Sequence, residues 1–464
     1  MERAEVSYTP KYQRFLIKER RFQQQYSHLY SKRIETSRPW VVKAACAKWD
    51  ADPASICGKV IDMRVKDSTI VVGTLYKDMP LKPNVLNEFS AGVQGPPPAR
   101  ANYCSAEDEL ILEDESGRVV LDGVDAVKHT VVTGVVVAVR GTVSEDGKLV
   151  VDDICAAGVP AAKPLPPPTS GAAPHILLVS GLNLGSDTFN PLPLLLLSEF
   201  VQGCLGGELD AATVANIVRV VVVGGLVDQP DKDFADKTLS TAEQAVLAAP
   251  LESGDVILSQ IAAAVPVDVM PGAKDPSNYT LPQQPLHRAL FPLASRFSSF
   301  RPVTNPYDAD IGGARLLGAS GQPVKDLLQY TSPELSGAAP AVGAEASAGA
   351  SASPSGDVPP GGTPVVDLLQ NTLEWRHMAP TAPDTLACYP FYETDPFVID
   401  AAPHVYFSGD AAKFETKLVD AEHGTGTRVV AVPSFSATGT AVLVNLATLE
   451  CNPMTFAANP ADLA

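Results

Sequence analysis

The chain has 464 residues and 45% hydrophobic content, enough for two or three globular domains with a sizeable core. Its 53 Asp and Glu outweigh 35 Lys and Arg, for a net charge of −18. That balance excludes a general grip on phosphate backbones, which needs clustered cations, and leaves solubility or protein docking as the use of the acidic surface.

Thr9-Pro10 reads as a helix start, a capping hydroxyl followed by proline at the first helical position. Tyr12, Phe15, Leu16, Phe22, Tyr26, Leu29, Tyr30 and Ile34 then recur at helical spacing, and Arg38-Pro39 ends the run. An N-terminal helical segment is therefore expected over 1–38, packed on its own domain or offered to a partner.

Residues 39–160 read as an all-β domain. Strands are expected at 70–76, 109–115, 118–122, 131–143 and 148–153, with turns at Ser116-Gly117 and Glu145-Asp146-Gly147. Five short strands with tight turns suit an OB-fold β-barrel. Single-strand binding by such a barrel pairs stacking aromatics with a basic groove. Here Tyr76 is the one aromatic in these strands, among Glu109, Glu113, Asp114, Glu115, Asp122, Asp152 and Asp153. A protein-contact barrel fits better, with weak or indirect DNA contact.

Residues 161–174 are rich in Pro, Ala and Gly and read as a linker. From 175 to 464 strands alternate with helices. Strands are expected at 176–179, 218–223, 267–270, 404–407, 428–432 and 441–446, and helices at 192–205 and 240–247. A two-sheet sandwich flanked by helices fits, so the whole chain is α+β and multidomain. Residues 336–363, almost entirely Ala, Ser, Gly and Pro, read as a disordered insertion.

The seven cysteines (46, 57, 104, 155, 204, 388 and 451) include no C-x-x-C pair, which predicts a reduced compartment and no zinc or iron–sulfur framework. The charged start, Met1-Glu2-Arg3-Ala4-Glu5, predicts no secretory leader. The apolar runs 217–227 and 131–139 are too short to span a bilayer, so no membrane role is expected.

Four short stretches adjoin apolar runs in the second domain: Ser180-Gly181-Leu182-Asn183, Gly224-Gly225-Leu226-Val227-Asp228, Gly272-Ala273-Lys274-Asp275 and Gly409-Asp410-Ala411-Ala412. In order, they resemble the D-x-H, G-D, G-N-H-D and G-H-x-H loops of calcineurin-like phosphoesterases, which hold a bridged pair of metal ions. The resemblance sets Gly181 for the Asp and Asn183 for the His. It sets Gly225 for the bridging Asp, and Ala273 and Lys274 for the Asn-His pair. Asp410 and Ala412 stand where the last two His would be. Glycine and alanine offer no lone pair, and a lysine ammonium repels a cation. These are degenerate metal-site positions, and no catalytic residue, metal or cofactor is expected from them.

Asp228, Asp268 and Asp275 read as turn or cap residues. A zinc ion needs ligands converging at about 2 Å, and nothing in the spacing of His287, His377 and His404 promises that. Hydrogen bonding within the fold is expected instead. An active metal-dependent phosphoesterase or nuclease remains the alternative, and would need ligands from other residues.

Longer runs carry a more specific resemblance. They are 265–287, Trp375-Arg376-His377-Met378-Ala379-Pro380, Cys388-Tyr389-Pro390-Phe391, Pro403-His404-Val405-Tyr406-Phe407 and Ser434-Phe435-Ser436-Ala437-Thr438. Together these resemble the small regulatory (B) subunit family of eukaryotic DNA polymerase delta. The resemblance implies an OB domain packed on an inactive calcineurin-like phosphodiesterase domain. It implies a nuclear, non-catalytic scaffold for DNA replication and repair synthesis. Such a scaffold bridges the C-terminal metal-binding module of the catalytic subunit and a third subunit, and is shared with polymerase zeta. It does not identify partner-contact residues.

Overall fold

The computed structural model describes residues 3–83, 102–125, 127–165, 173–228, 241–332, 363–419 and 426–457. Its first element is a strand. β1, Tyr8–Pro10, pairs antiparallel with residues 309–311 of the second domain. Proline is tolerated there because β1 is an edge strand. The helix expected from Thr9 is therefore corrected. Only a short 3₁₀ turn, Tyr12–Phe15, follows. Helical spacing misled because the aromatics are held by the second domain rather than by a helix of their own: Phe15 stacks on Phe397 and Phe22 meets Tyr389 edge-on.

The long helix, α1, runs Ser27–Trp49 with Pro39 inside it. The expected stop at Arg38-Pro39, and with it a boundary at residue 38, is corrected too. Leu29, Arg33, Ser37, Val41 and Ala45 form one buried stripe with a period of four. Val41 and Ala45 pack on Val72, Val136 and Ala138 of the barrel. That continuous packing outweighs the lost N–H and the steric cost of proline.

The barrel closes as expected, in the order β2-β3-β4-β6-β5: β2 is Ser68–Asp78, β3 Glu109–Glu113, β4 Arg118–Asp122, β5 Val136–Val143 and β6 Leu149–Cys155. Val71, Leu75, Leu110, Leu112, Val119, Leu121, Val137, Val139 and Leu149 fill it, as period-two alternation dictates. The Ser116-Gly117 turn is held by Asp114, whose carboxylate accepts from the backbone N–H of both residues.

The second domain is a sandwich. Among the described residues, one six-stranded sheet has the order β10-β9-β8-β7-β16-β17 and the other β1-β11-β12-β13-β15-β14. The chain enters through β7 (His175–Val179), α2 (Pro191–Gln202), α3 (Glu208–Ala215), β8 (Ile217–Val223), α4 (Thr241–Ala264) and β9 (Val267–Met270). It continues through β10 (Phe300–Pro302), β11 (Tyr307–Ile311), β12 (Ala314–Ala319), α5 (Gln322–Tyr330) and α6 (Val365–Glu374). It ends with β13 (Val405–Ala411), β14 (Glu415–Val419), β15 (Thr427–Pro433), α7 (Phe435–Thr438), β16 (Thr440–Asn445) and β17 (Cys451–Thr455). Ile176, Leu178, Val221, Tyr307, Leu316, Val405, Phe407 and Val430 form the core between the sheets. The other face of the first sheet packs on α2 and α4 through Leu194, Leu197, Leu258 and Ile261. α5 and α6 cover the second sheet and share their core with the barrel, through Leu327, Leu369 and Leu373.

The expected linker is partly tied down, since Ala162 bridges to Ala402, while 166–172 lie outside the described residues. The insertion expected at 336–363 lies outside them as well, except Thr363.

Where barrel meets sandwich, chain approaches backbone. Gly134 has a φ of +90°, and a β-carbon there would lie 1.9 Å from the Pro380 carbonyl oxygen. Gly134→Ala should therefore lower unfolding free energy by about 2–4 kcal/mol, from left-handed strain plus overpacking. Denaturant titration checks this, and an unchanged midpoint would mean the seam is looser than described.

Candidate functional site

The parallel strands β7, β8 and β9 lie side by side in one sheet, and their following loops meet. Gly181 N–H donates to the Gly224 carbonyl at 2.9 Å, and Asn183 N–H to that of Gly225 at 2.8 Å. The loop following the core of β13 joins them through Ser180, whose hydroxyl donates to the Val223 carbonyl and accepts the Asp410 N–H at 2.9 Å. The structure thus brings together Gly181, Asn183, Gly225 and Asp410. Ala273, Lys274 and Ala412 are exposed at the rim.

Backbone fills the floor of this cleft. Gly181 and Gly225 both have positive φ, +64° and +68°. A β-carbon on Gly225 would lie 2.9 Å from Gly181 Cα, and one on Gly181 would lie 2.6 Å from Ser434 Oγ. A carboxylate at either position would have to push the loops apart. Asn183 turns its amide onto Ser436 Oγ at 2.9 Å. Lys274 pairs with Asp228 at 2.6 Å, and Lys325 pairs with Asp410. The side chains gathered here are hydroxyls, an amide and two ion pairs.

Asp275 holds the arrangement. It is buried, and its carboxylate accepts from the N–H groups of Gly225 (2.9 Å), Leu226 (3.2 Å), Val227 (2.9 Å) and Gly272 (2.6 Å). Burial pushes its carboxyl up from the usual range, and those four donors oppose that. The expectation of a turn residue holds for Asp275. It is corrected for Asp268, which lies inside β9 between the sheets. There it binds Arg219 at 2.7 Å and the Tyr307 hydroxyl at 2.8 Å. The strand position, buried on both faces, decides this.

A second polar centre joins α1 to the sandwich. Arg33, 1% exposed, donates Nε to Asp395 at 2.8 Å and its terminal nitrogens to the carbonyls of Gly134, Pro380 and Ala382. His377 Nε2 lies 2.9 Å from the same carboxylate, and its Nδ1 accepts from Ala379 N–H. Nδ1 therefore carries no proton, and Nε2–H donates to Asp395. Burial works against the charged carboxylate, but the cationic and hydrogen-bonding partners win and hold it well below its usual range.

Comparison with known proteins places this architecture. Residues 25–154 match the DNA polymerase delta subunit OB-fold domain, and residues 176–416 match the B subunit of DNA polymerase alpha/epsilon. The chain is 36% identical to the DNA polymerase delta small subunit of Oryza sativa over 458 residues, 98% of this chain and 99% of that one. It is 38% identical to the Arabidopsis thaliana small subunit, covering 98% and 96% of the two chains. With the Saccharomyces cerevisiae small subunit the identity is 36%, covering 93% and 89%. The chain belongs to the DNA polymerase delta small-subunit family.

The two matched regions of this small-subunit chain follow its structure: the first begins just before α1 and ends in β6, and the second begins in β7. The three expected histidines do not converge. His404 sits between Arg315 N–H and the Lys163 carbonyl, His377 on Asp395, and His287 accepts from Ala289 N–H. Among the described residues, one group of three ligand-type side chains does gather: Cys104, Asp108 and His129. Spacings of four and twenty-one residues across barrel loops gave no motif to find it by. Ser180 and Ser434, which line the cleft, stood in quoted runs but carried no sign of their place in it.

Proposed function

We propose that this chain is a non-catalytic scaffold subunit of a DNA polymerase delta complex. In this reading the sandwich is a degenerate calcineurin-like phosphodiesterase domain and the barrel, within 39–160, a protein-contact module. The chain joins the C-terminal metal-binding module of the catalytic subunit to a third subunit in the nucleus. The observation that carries the non-catalytic half is the backbone-filled floor at Gly181 and Gly225. A bridging carboxylate has no room at the second position, and the side-chain oxygen nearest that point is the neutral amide of Asn183, so a two-metal hydrolytic centre lacks its keystone. The family relationship over nearly the whole chain supports the assembly half.

Co-expression with the polymerase delta catalytic subunit and third subunit of the same organism should yield a stoichiometric complex that survives gel filtration. A chain that elutes alone beside both partners would refute the scaffold. The purified chain should show no manganese-dependent phosphodiester hydrolysis, and turnover abolished by Gly225→Leu would restore the phosphoesterase alternative. Single-strand binding should be weak, since Tyr76 is the one aromatic in the five barrel strands.

A further inference from the structure

The stretch between β1 and α1 ends in a surface that the fold itself does not close. Phe22 is 65% exposed and Tyr26 42%, yet both are held in place. Phe22 meets Tyr389 edge-on with 5.5 Å between ring centroids, and the Tyr26 hydroxyl donates to the Cys388 carbonyl at 2.9 Å. Tyr389 is buried and packs on Phe391, and the next residue, Tyr392, is exposed again. Tyr279, 83% exposed, stands two residues before Leu281, whose carbonyl accepts from Tyr389 N–H. Single exposed aromatics need no explanation, but several gathered on one loop mark a contact surface.

The same segment is cationic in a chain of net charge −18. Lys18, Arg20 and Arg21 are exposed, and the one acid among them, Glu19, pairs with Arg21. Lys18 and Arg20 have no ion-pair partner among the described residues, and Glu393 is the one acid on the facing 387–393 loop. The backbone that carries these cations is fixed. The Tyr389 hydroxyl donates to the Glu19 carbonyl at 2.8 Å and accepts from Arg21 N–H at 2.7 Å, and Ile17 N–H donates to Gln284 Oε1 at 3.0 Å. Exposed aromatics and arginines on a backbone already ordered lower the entropy cost of association and are the commonest energetic centres of protein interfaces.

Charge selects the occupant. Two unpaired cations attract a short acidic stretch and are too few to grip a phosphate backbone. The rings also argue against nucleic acid. Phe22 and Tyr389 meet at 71°, as do Tyr389 and Phe391, which leaves no row of parallel faces for successive bases to stack on. We propose that Phe22, Tyr26 and Tyr392, with Lys18 and Arg20 beside them, dock an acidic protein segment bearing an aromatic or leucine anchor, supplied by another subunit of the complex. This rests on the scaffold reading. The anchor lies against the two N-terminal rings, and its neighbouring carboxylates meet the two free cations.

The test uses the full chain co-expressed with the catalytic and third subunits of the same organism. Phe22→Ala should weaken binding of one of those subunits by about tenfold or more, the scale of an aromatic hot spot. Lys18→Glu with Arg20→Glu should weaken the same subunit and flatten the salt dependence of its binding. Both variants should match the parent's circular dichroism. Should Phe22→Ala fail to fold, carbene labelling of the parent replaces it, and Phe22 and Tyr392 should lose label on assembly. A parent complex with unchanged labelling, or variants that bind as the parent does, would overturn the surface and leave the scaffold standing. No complex with the parent would overturn both. Binding of single-stranded oligothymidylate by the chain alone, abolished by the charge reversals, would give the surface to nucleic acid instead. A dimer of the chain broken by Phe22→Ala would give it to a second copy, and either result would overturn the proposal.

Discussion

Arg33→Met should lower the unfolding free energy by about 3–5 kcal/mol, the cost of stranding a buried carboxylate after its cation is removed. Asp395 has 0% side-chain exposure in that pair and cannot turn to water. Methionine keeps most of the aliphatic volume, so the loss reports on charge and hydrogen bonds rather than on a cavity. Three carbonyls, of Gly134, Pro380 and Ala382, lose their donor at the same time. They come from the barrel and the sandwich, so the variant should also loosen the seam between them. Chemical denaturation gives the energy, and proteolysis at the seam gives the loosening. A loss below about 1 kcal/mol would mean a surface-like pair.

The same centre predicts an acid limb. The folded Asp395 carboxyl lies below its unfolded value of about 3.9. Its stabilisation is therefore fully present above that value and is lost as pH falls through the folded one. Asp395→Asn, less stable at neutral pH, should show a flatter decline below about pH 4. Equal slopes for parent and variant would remove Asp395 from the account.

Asp275→Ala carries the second large effect. It would orphan four backbone N–H groups, those of Gly225, Leu226, Val227 and Gly272. At about 1–3 kcal/mol per orphaned buried donor, less what water entering the gap recovers, the expected loss is about 4 kcal/mol or more. Asp275→Asn should fall between, because its carbonyl oxygen still accepts while its NH₂ faces donors. The consequence extends to function. These N–H groups tie the Gly225 loop to Asp275, and the same loop accepts from Gly181 and Asn183 N–H, so the variant should loosen the cleft floor. Thermal and urea unfolding measure the first effect. Hydrogen exchange at Leu226 and Val227 measures the second, and unchanged protection there would show that Asp275 does not hold the loop.

Much of the architecture was legible along the chain. The barrel strands stood out because Val, Ile and Leu alternate with polar residues and the turns carry Gly117 and Gly147, both residues that suit tight turns. β8 and β9 read clearly because sheets covered on both faces demand apolar runs, interrupted here by Arg219 and Asp268, which pair with each other. The N-terminus misled for the opposite reason. Its aromatics share a helical spacing but pack on an aromatic cluster of the second domain, Phe397, Phe391 and Tyr389, and β1 exists only by pairing with β11, far along the chain. Pro39 looked like a stop because the packing that overrides it, Val41 and Ala45 on the barrel, is not local.

The candidate cleft divided in the same way. By itself the sequence determined which donor atoms are missing, because a glycine at 181 or 225 has no side-chain ligand in any conformation. Only the tertiary structure decided that backbone closes over that floor, that Arg33 joins barrel to sandwich, and that Cys104, Asp108 and His129 converge around Lys77. Those outcomes depend on distances between segments remote in sequence, set by how two sheets, a barrel and a long helix pack, and no local pattern of residue types encodes such distances.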